Sequence, residues 1–168
     1  MTAIPLAEFT AARGVHQGHG RLVTRMNYET VPKFLARIDL FEGLPPEVLS
    51  DLVERGTTMT TQPGTQVIEQ GSSGAGLQVV LAGSAEVLVN GVPRAPLTVG
   101  DYFGEISLID GLPRSASVVT GPDGMTTFAL SALAFAPVVR ENPKVAQTLL
   151  KALSARIRAL EANATGPA

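Results

Sequence analysis

The sequence predicts an α+β fold: N-terminal helices, an antiparallel β roll (jelly-roll-like, with about eight strands), and a C-terminal helical lid. Two observations predict it. Apolar residues recur at helical spacing before Gly56 and again after Ser131, with short alternating stretches separated by glycine-bearing turns between them. Asn90-Gly91, set between two apolar runs, is a tight-hairpin signal that fixes the middle region as antiparallel.

Residues 1–30 are rich in Gly, Ala, Thr and His and read as a partly ordered arm or short helix. His16 and His19 stand at i,i+3 spacing, but two ligands in an arm make a poor metal site, and a solvated tail is the simpler reading. Phe34, Leu35, Ile38, Leu40 and Phe41 then predict a helix. After the Gly43-Leu-Pro-Pro break, Pro46 suits the first turn of a second helix with Val48, Leu49, Leu52 and Val53 as its buried stripe and Gly56 ending it.

Strands are expected at 57–61, 66–69, 77–81, 85–89, 97–99, 117–119 and 126–130, with turns at Pro63-Gly64, Gly71-Ser-Ser-Gly74, Ala82-Gly83, Asn90-Gly91, Gly100-Asp101 and Pro122-Asp-Gly124. Ser131 is placed to cap the next helix, in which Pro137 predicts a kink, a short span or a later start. Pro143 opens a longer helix to about Ala162, striped by Val145, Leu149, Leu150, Leu153, Ile157 and Leu160. The expected organisation is an arm (1–30), one domain (31–162) and a disordered tail (163–168).

Composition narrows the function. The chain has 168 residues, 45% hydrophobic and 17% charged, with a formal charge of −2, as expected of a soluble globular protein with no general attraction to nucleic acid or anionic membrane. It has no cysteine, and both histidines precede residue 20, so thiolate and imidazole chemistry are excluded from the domain. No signal peptide or membrane-spanning run is evident, so the expected address is cytoplasmic, and the small-residue bias suggests a bacterial source.

Chemistry concentrates between Phe103 and Ala116. Gly104 permits close backbone approach, and Glu105-Ile-Ser-Leu-Ile is long enough for one helical turn whose free N–H groups attract an anion. Arg114, beyond the Asp110-Gly-Leu-Pro113 turn, can fold back over that spot and pair bidentately with a phosphate, with Ser115 adding a hydroxyl. Glu105 suits a neighbouring hydroxyl. A ligand with one anionic phosphate and an adjacent sugar hydroxyl fits, and phosphate sugars of many kinds qualify.

The segment resembles the phosphate-binding cassette of the cyclic-nucleotide-binding domain family, which includes catabolite activator proteins, protein kinase A regulatory subunits and cyclic-nucleotide-gated channels. The Phe-Gly-Glu start, the Pro-Arg-Ser-Ala end and their separation match, as do Pro63-Gly64, Glu69-Gln-Gly71, Ala82-Gly83 and Gly100-Asp101. The likeness runs from about Val31 to Leu160. It implies that Glu105 accepts the ribose 2′-hydroxyl and that Gly104, Ile106 and Ser107 offer backbone N–H groups to ribose and phosphate. It further implies that Arg114 pairs with the cyclic phosphate, that Ser115 and Ala116 complete the phosphate and purine contacts, and that the last helix caps the base through Arg156, Ile157 or Leu160. Gln78 departs from the pattern, which has an aromatic there, as do Ala134 in place of an acidic residue and Pro137.

The expectation is a non-catalytic sensor for cyclic AMP, with cyclic GMP tolerated through Ser115, and with no metal or cofactor. The alternatives are an ordinary surface pair of Glu105 and Arg114, and a family member that has lost its ligand and serves as an interaction or dimerisation module. A cupin-type enzyme lacks its histidine cluster, and a metal on Asp101, Glu105 and Asp110 would compete with Arg114. Beyond Leu160 there is no room for a DNA-binding helix-turn-helix, so a homodimer through the last helix, or an effector outside this chain, would carry the output.

Overall fold

The computed structural model describes residues 21–23 and 30–164. The arm's histidines and residues 165–168 lie outside them. The elements are, in order, β1 (Arg21–Val23), α1 (Thr30–Leu35), α2 (Pro46–Arg55), β2 (Thr57–Thr61), β3 (Gln66–Ile68), β4 (Gly76–Val89), β5 (Val92–Leu97), β6 (Tyr102–Phe103), α3 (Glu105–Asp110), β7 (Ser117–Ser131), α4 (Ala132–Glu141) and α5 (Pro143–Ala164). The α+β roll with flanking helices is as predicted.

The sheet has seven strands in the order β1-β2-β7-β4-β5, with β3 also on β7 and β6 also on β4. Two long antiparallel strands make it a roll. β7 pairs with β2 through Met125–Ala129 and with β3 through Val118 and Val119, while β4 pairs with β6 at Gln78–Val79 and with β5 over Ala85–Val89. Each long strand therefore serves two regions, which counts as two strands when read from sequence. The bend lies where the β4–β7 register shifts, between Gly83↔Met125 and Ala85↔Thr120, leaving residues 121–124 of β7 unmatched. Gly83 (φ 76°) and Gly124 (φ 72°) hold left-handed backbone there, and a Cβ on Gly83 would collide with the carbonyl of Gly124.

The hairpin forms as expected: Asn90 (φ 53°) and Gly91 (φ 75°) join β4 to β5 with Val89 opposite Val92. The second strand of that hairpin lies earlier than expected, at Val92–Leu97 rather than 97–99. Pro93 and Pro96 argue against a strand, but β5 is an outer strand of the sheet, where a missing N–H costs no ladder bond. Residues 98–101, placed in and after an expected strand, instead form a turn in which Asp101 Oδ2 accepts from Thr98 N (2.8 Å) and Thr98 Oγ1 (3.0 Å). β1 likewise pairs with β2, Leu22 opposite Thr60, within the stretch expected to be an arm.

The helices follow their signals with two differences. The first ends at Leu35, and Ile38, Phe41 and Leu44 continue as tight turns, each N–H bonding the carbonyl three residues back. α4 starts at Ala132 and runs through Pro137 without ending there. Ser131 caps it, accepting from Ala134 N at 3.3 Å. Pro46 opens α2 and Gly56 ends it. α5 extends past Ala162, so Asn163 and Ala164 are helical.

Two apolar clusters result. On the outer face, Leu77, Val79, Leu81, Phe128 and Leu130 meet Phe41, Leu52, Phe135, Val145 and Leu149 from the helices, with Phe41 and Phe135 edge to face at 6.0 Å. Inside the roll, Ile68, Val80, Leu97, Phe103, Val118 and Met125 form the second. The segment Phe103–Ala116 is anchored in this inner cluster by Phe103.

Candidate functional site

Phe103 is buried as the last residue of β6, opposite Gln78 of β4. The next residue turns the chain sharply. Gly104 has φ 87°, and a Cβ there would meet Gly76 O and, at 2.8 Å, Arg114 Nη1. Only glycine fits both the backbone conformation and the space. The six residues Glu105–Asp110 of α3 follow, with no side chain capping their first turn. Glu105 is 1% exposed and Ser107 2%, while Ile106 is half-buried.

Arg114 returns over the start of this turn. Its Nη1 donates to Gly104 O at 2.9 Å and to Gly76 O at 3.1 Å. Its backbone is held as firmly: Gly71 N donates to Arg114 O (2.8 Å), and Arg114 N donates to Ser72 O (3.0 Å). Burial lowers the guanidinium from its ordinary value, and the carboxylate of Glu105 partly opposes this. The group stays cationic at physiological pH. Ser115 is exposed and Ala116 half-buried.

Arg114 borders a concavity of about 340 Å³, lined also by Val67, Ile68, Ser72, Ser73 and Gln78 and by one carboxylate, Glu69. That volume lies in the usual range of small-molecule sites, about 300–1,000 Å³. With Nη1 committed to two carbonyls, Nη2 and Nε are the guanidinium donors left for a ligand. The arrangement can receive one anion, held by a fixed cation.

The structure brings Gly104 and Glu105 to Arg114, but of the described residues of the predicted site Arg114 alone lines the concavity; Phe103, Gly104, Glu105, Ile106, Ser107, Ser115 and Ala116 do not. Among the described residues, no α5 side chain lines the concavity. Ile157 is 57% exposed, and the side chains of Arg156 and Leu160 lie outside the described ones. Asp101 and Asp110 do not join Glu105 as metal ligands: Asp101 bonds Thr98, Asp110 Oδ1 accepts from Leu112 N at 2.9 Å, and no described cluster could hold a metal ion. Sequence reasoning missed the role of the loop Glu69–Gly74, which carries both backbone bonds to Arg114. Its signal was the glycine pair Gly71 and Gly74, read as a turn and, through Glu69-Gln-Gly71, as part of the family resemblance.

Known proteins share this fold. The profile of the family described as "Cyclic nucleotide-binding domain" matches residues 58–142, half of the chain. The chain belongs to that family. Within it, the chain is 37% identical over 87 residues to a cAMP-dependent protein kinase regulatory subunit of Yarrowia lipolytica, a match covering 51% of this chain and 23% of that subunit. Among solved structures, the catabolite activator protein of Thermus thermophilus superposes with TM-score 0.64 at 30% identity, over 74% of this chain and 61% of that one. The regulatory subunit of a cAMP-independent protein kinase A from Trypanosoma brucei shares the fold at TM-score 0.67 and 24% identity, over 74% of this chain and 45% of that one. This chain spans 15–23% of the length of the curated kinase relatives first matched. Among the described residues no helix is long and apolar enough to cross a membrane.

Proposed function

We propose that this chain is a non-catalytic sensor domain that binds a purine cyclic nucleotide in the concavity beside Arg114, cyclic AMP first and cyclic GMP second. One observation carries the reading: Arg114 is pinned through Nη1 by the Gly76 and Gly104 carbonyls, with its other donors left for an anion. A guanidinium fixed before the ligand arrives loses little rotamer freedom on binding. The relatives described as cAMP-dependent or cAMP-activated support cyclic AMP as the first choice.

In this reading Glu105 accepts the ribose 2′-hydroxyl. The N–H groups of Gly104, Ile106 and Ser107 meet ribose and phosphate, and Ser115 and Ala116 finish the phosphate and purine contacts. The ligand then draws α5 over the base, through Arg156, Ile157 or Leu160; the exposure of Ile157 supports this part of the reading. Residues 31–162 are the binding unit, acting in the cytoplasm. A second copy through α5, or an effector outside this chain, reads the new helix position.

A second reading, an interaction module without ligand, is favoured by the exposed Leu150 and Ile157 of α5. Calorimetric titration of wild-type and Arg114→Ala protein with cyclic AMP separates the two: binding that the substitution abolishes supports the sensor, and no binding by the wild type supports the module.

A further inference from the structure

Gln78 brings a polar side chain to the inner face of the roll. β4 alternates there: Leu77, Val79 and Leu81 face the helices, whereas Val80 belongs to the inner cluster, and Gln78 lines the concavity together with Arg114. Its strand partner across β6 is Phe103. An amide among such neighbours is costly unless its groups find partners.

One partner is present. Thr127 of β7, 2% exposed, donates from Oγ1 to Gln78 Oε1 at 3.0 Å. That bond fixes the amide, and among the described residues no acceptor takes a hydrogen bond from Nε2. The side chain therefore offers the cavity a donor held in place from behind.

Its position selects the part of the ligand it would meet. Gly76, whose carbonyl holds Arg114 Nη1, lies two residues before Gln78 on the same strand. Residues two apart on a strand are separated by about 7 Å. A phosphate group resting against Arg114 thus lies within reach of the Gln78 amide.

We propose that Gln78 is a second side-chain contact for the anionic end of the ligand, its Nε2 donating to an oxygen of the cyclic phosphate, and that Thr127 is the positioning residue that orients the amide. The proposal rests on the assignment of the Arg114 site to a cyclic nucleotide. It differs from a structural role for Gln78 as mere partner of the buried Thr127 hydroxyl, which would affect folding and leave affinity alone.

The test is calorimetric titration of wild type, Gln78→Leu, Gln78→Glu, Thr127→Val and the Gln78→Leu/Thr127→Val double variant with cyclic AMP and cyclic GMP, beside melting curves of the ligand-free proteins. Gln78→Leu is expected to weaken both nucleotides by the same factor, about tenfold or more, as for a hydrogen bond to a charged group. Gln78→Glu weakens them further, because a carboxylate then faces the phosphate. Thr127→Val weakens them less and adds nothing in the Gln78→Leu background. Gln78→Met, of similar length and without a donor, replaces the leucine variant if that one melts early. Affinities of the Gln78 variants within about twofold of wild type overturn the proposal while leaving the Arg114 site standing, since wild-type binding is then observed. A loss confined to one nucleotide overturns it in favour of a base contact. Wild-type protein that binds neither nucleotide overturns the assignment of the site, and this proposal with it.

Discussion

Arg114 donates through Nη1 to the carbonyl oxygen of Gly104 at 2.9 Å, ten residues back along the chain. The same nitrogen also serves Gly76 O at 3.1 Å, so one guanidinium joins the cassette to β4. Arg114→Ala removes the cation and leaves both carbonyls short of a donor. We expect cyclic nucleotide affinity to fall by about 2–5 kcal/mol and ligand-free stability to fall by about 1–2 kcal/mol. Arg114→Lys, a point charge without the planar fork, should fall between. Titration and denaturant unfolding of the three proteins check both quantities.

Gly104 should tolerate no side chain. At φ 87° an alanine is strained, and its Cβ would displace the guanidinium it meets at 2.8 Å. Gly104→Ala is expected to destabilise by about 1–3 kcal/mol and to weaken ligand binding at least as much as a shifted Arg114 requires. Measuring stability and affinity on the same sample shows whether the two losses arise together.

Gly56, unlike Gly104, excludes a side chain by lack of space alone. Its φ of −95° suits any residue, yet a Cβ there would enter the ring of Phe128. Gly56→Ala should therefore cost about 1–3 kcal/mol of stability from overpacking alone. Its ligand affinity, measured well below the melting temperature, should match wild type, because Phe128 packs on the helix side of the sheet.

Ser131→Ala removes the side-chain cap of α4, whose hydroxyl accepts from Ala134 N at 3.3 Å. The expected loss is about 1 kcal/mol, read as a fall of about 2–4 °C in melting temperature for a chain of this size. Replacement by Asp, another good cap, should restore most of it.

Sequence patterns captured those parts of the fold set by local backbone chemistry. Asn90-Gly91 demands a tight hairpin, Pro46 a helix start and Ser131 a cap, and each does so without reference to distant residues. The roll was harder. β4 and β7 each read as two strands because their bend at Gly83 and at residues 121–124 uses the same Gly, Pro and Asp residues that mark a turn. Whether such residues end a strand or bend it is settled by pairing on either side, which is non-local. The span of β5 was hidden for a related reason: its prolines are tolerated because, among the described residues, no further strand pairs beyond it.

The site was partly legible in the same way. Phe103–Arg114 is contiguous, so its glycine, carboxylate and guanidinium could be read as one unit. The loop at Gly71-Ser72, which holds the Arg114 backbone, and Gln78, which shares its cavity, come from elsewhere in the chain, and only the fold places them there. The proposed covering of a base by α5 was not legible either: of its candidate residues Ile157 is the one whose side chain is described, and it is exposed.

The most direct measurement is calorimetric titration of the intact 168-residue chain with cyclic AMP, with cyclic GMP, and with adenosine as the phosphate-free control. A saturable heat with Kd below about 100 μM, near −5.5 kcal/mol, for at least one cyclic nucleotide and none for adenosine is the expected result. Absence of binding by both cyclic nucleotides at that concentration would contradict the assignment of a cyclic-phosphate site to Arg114.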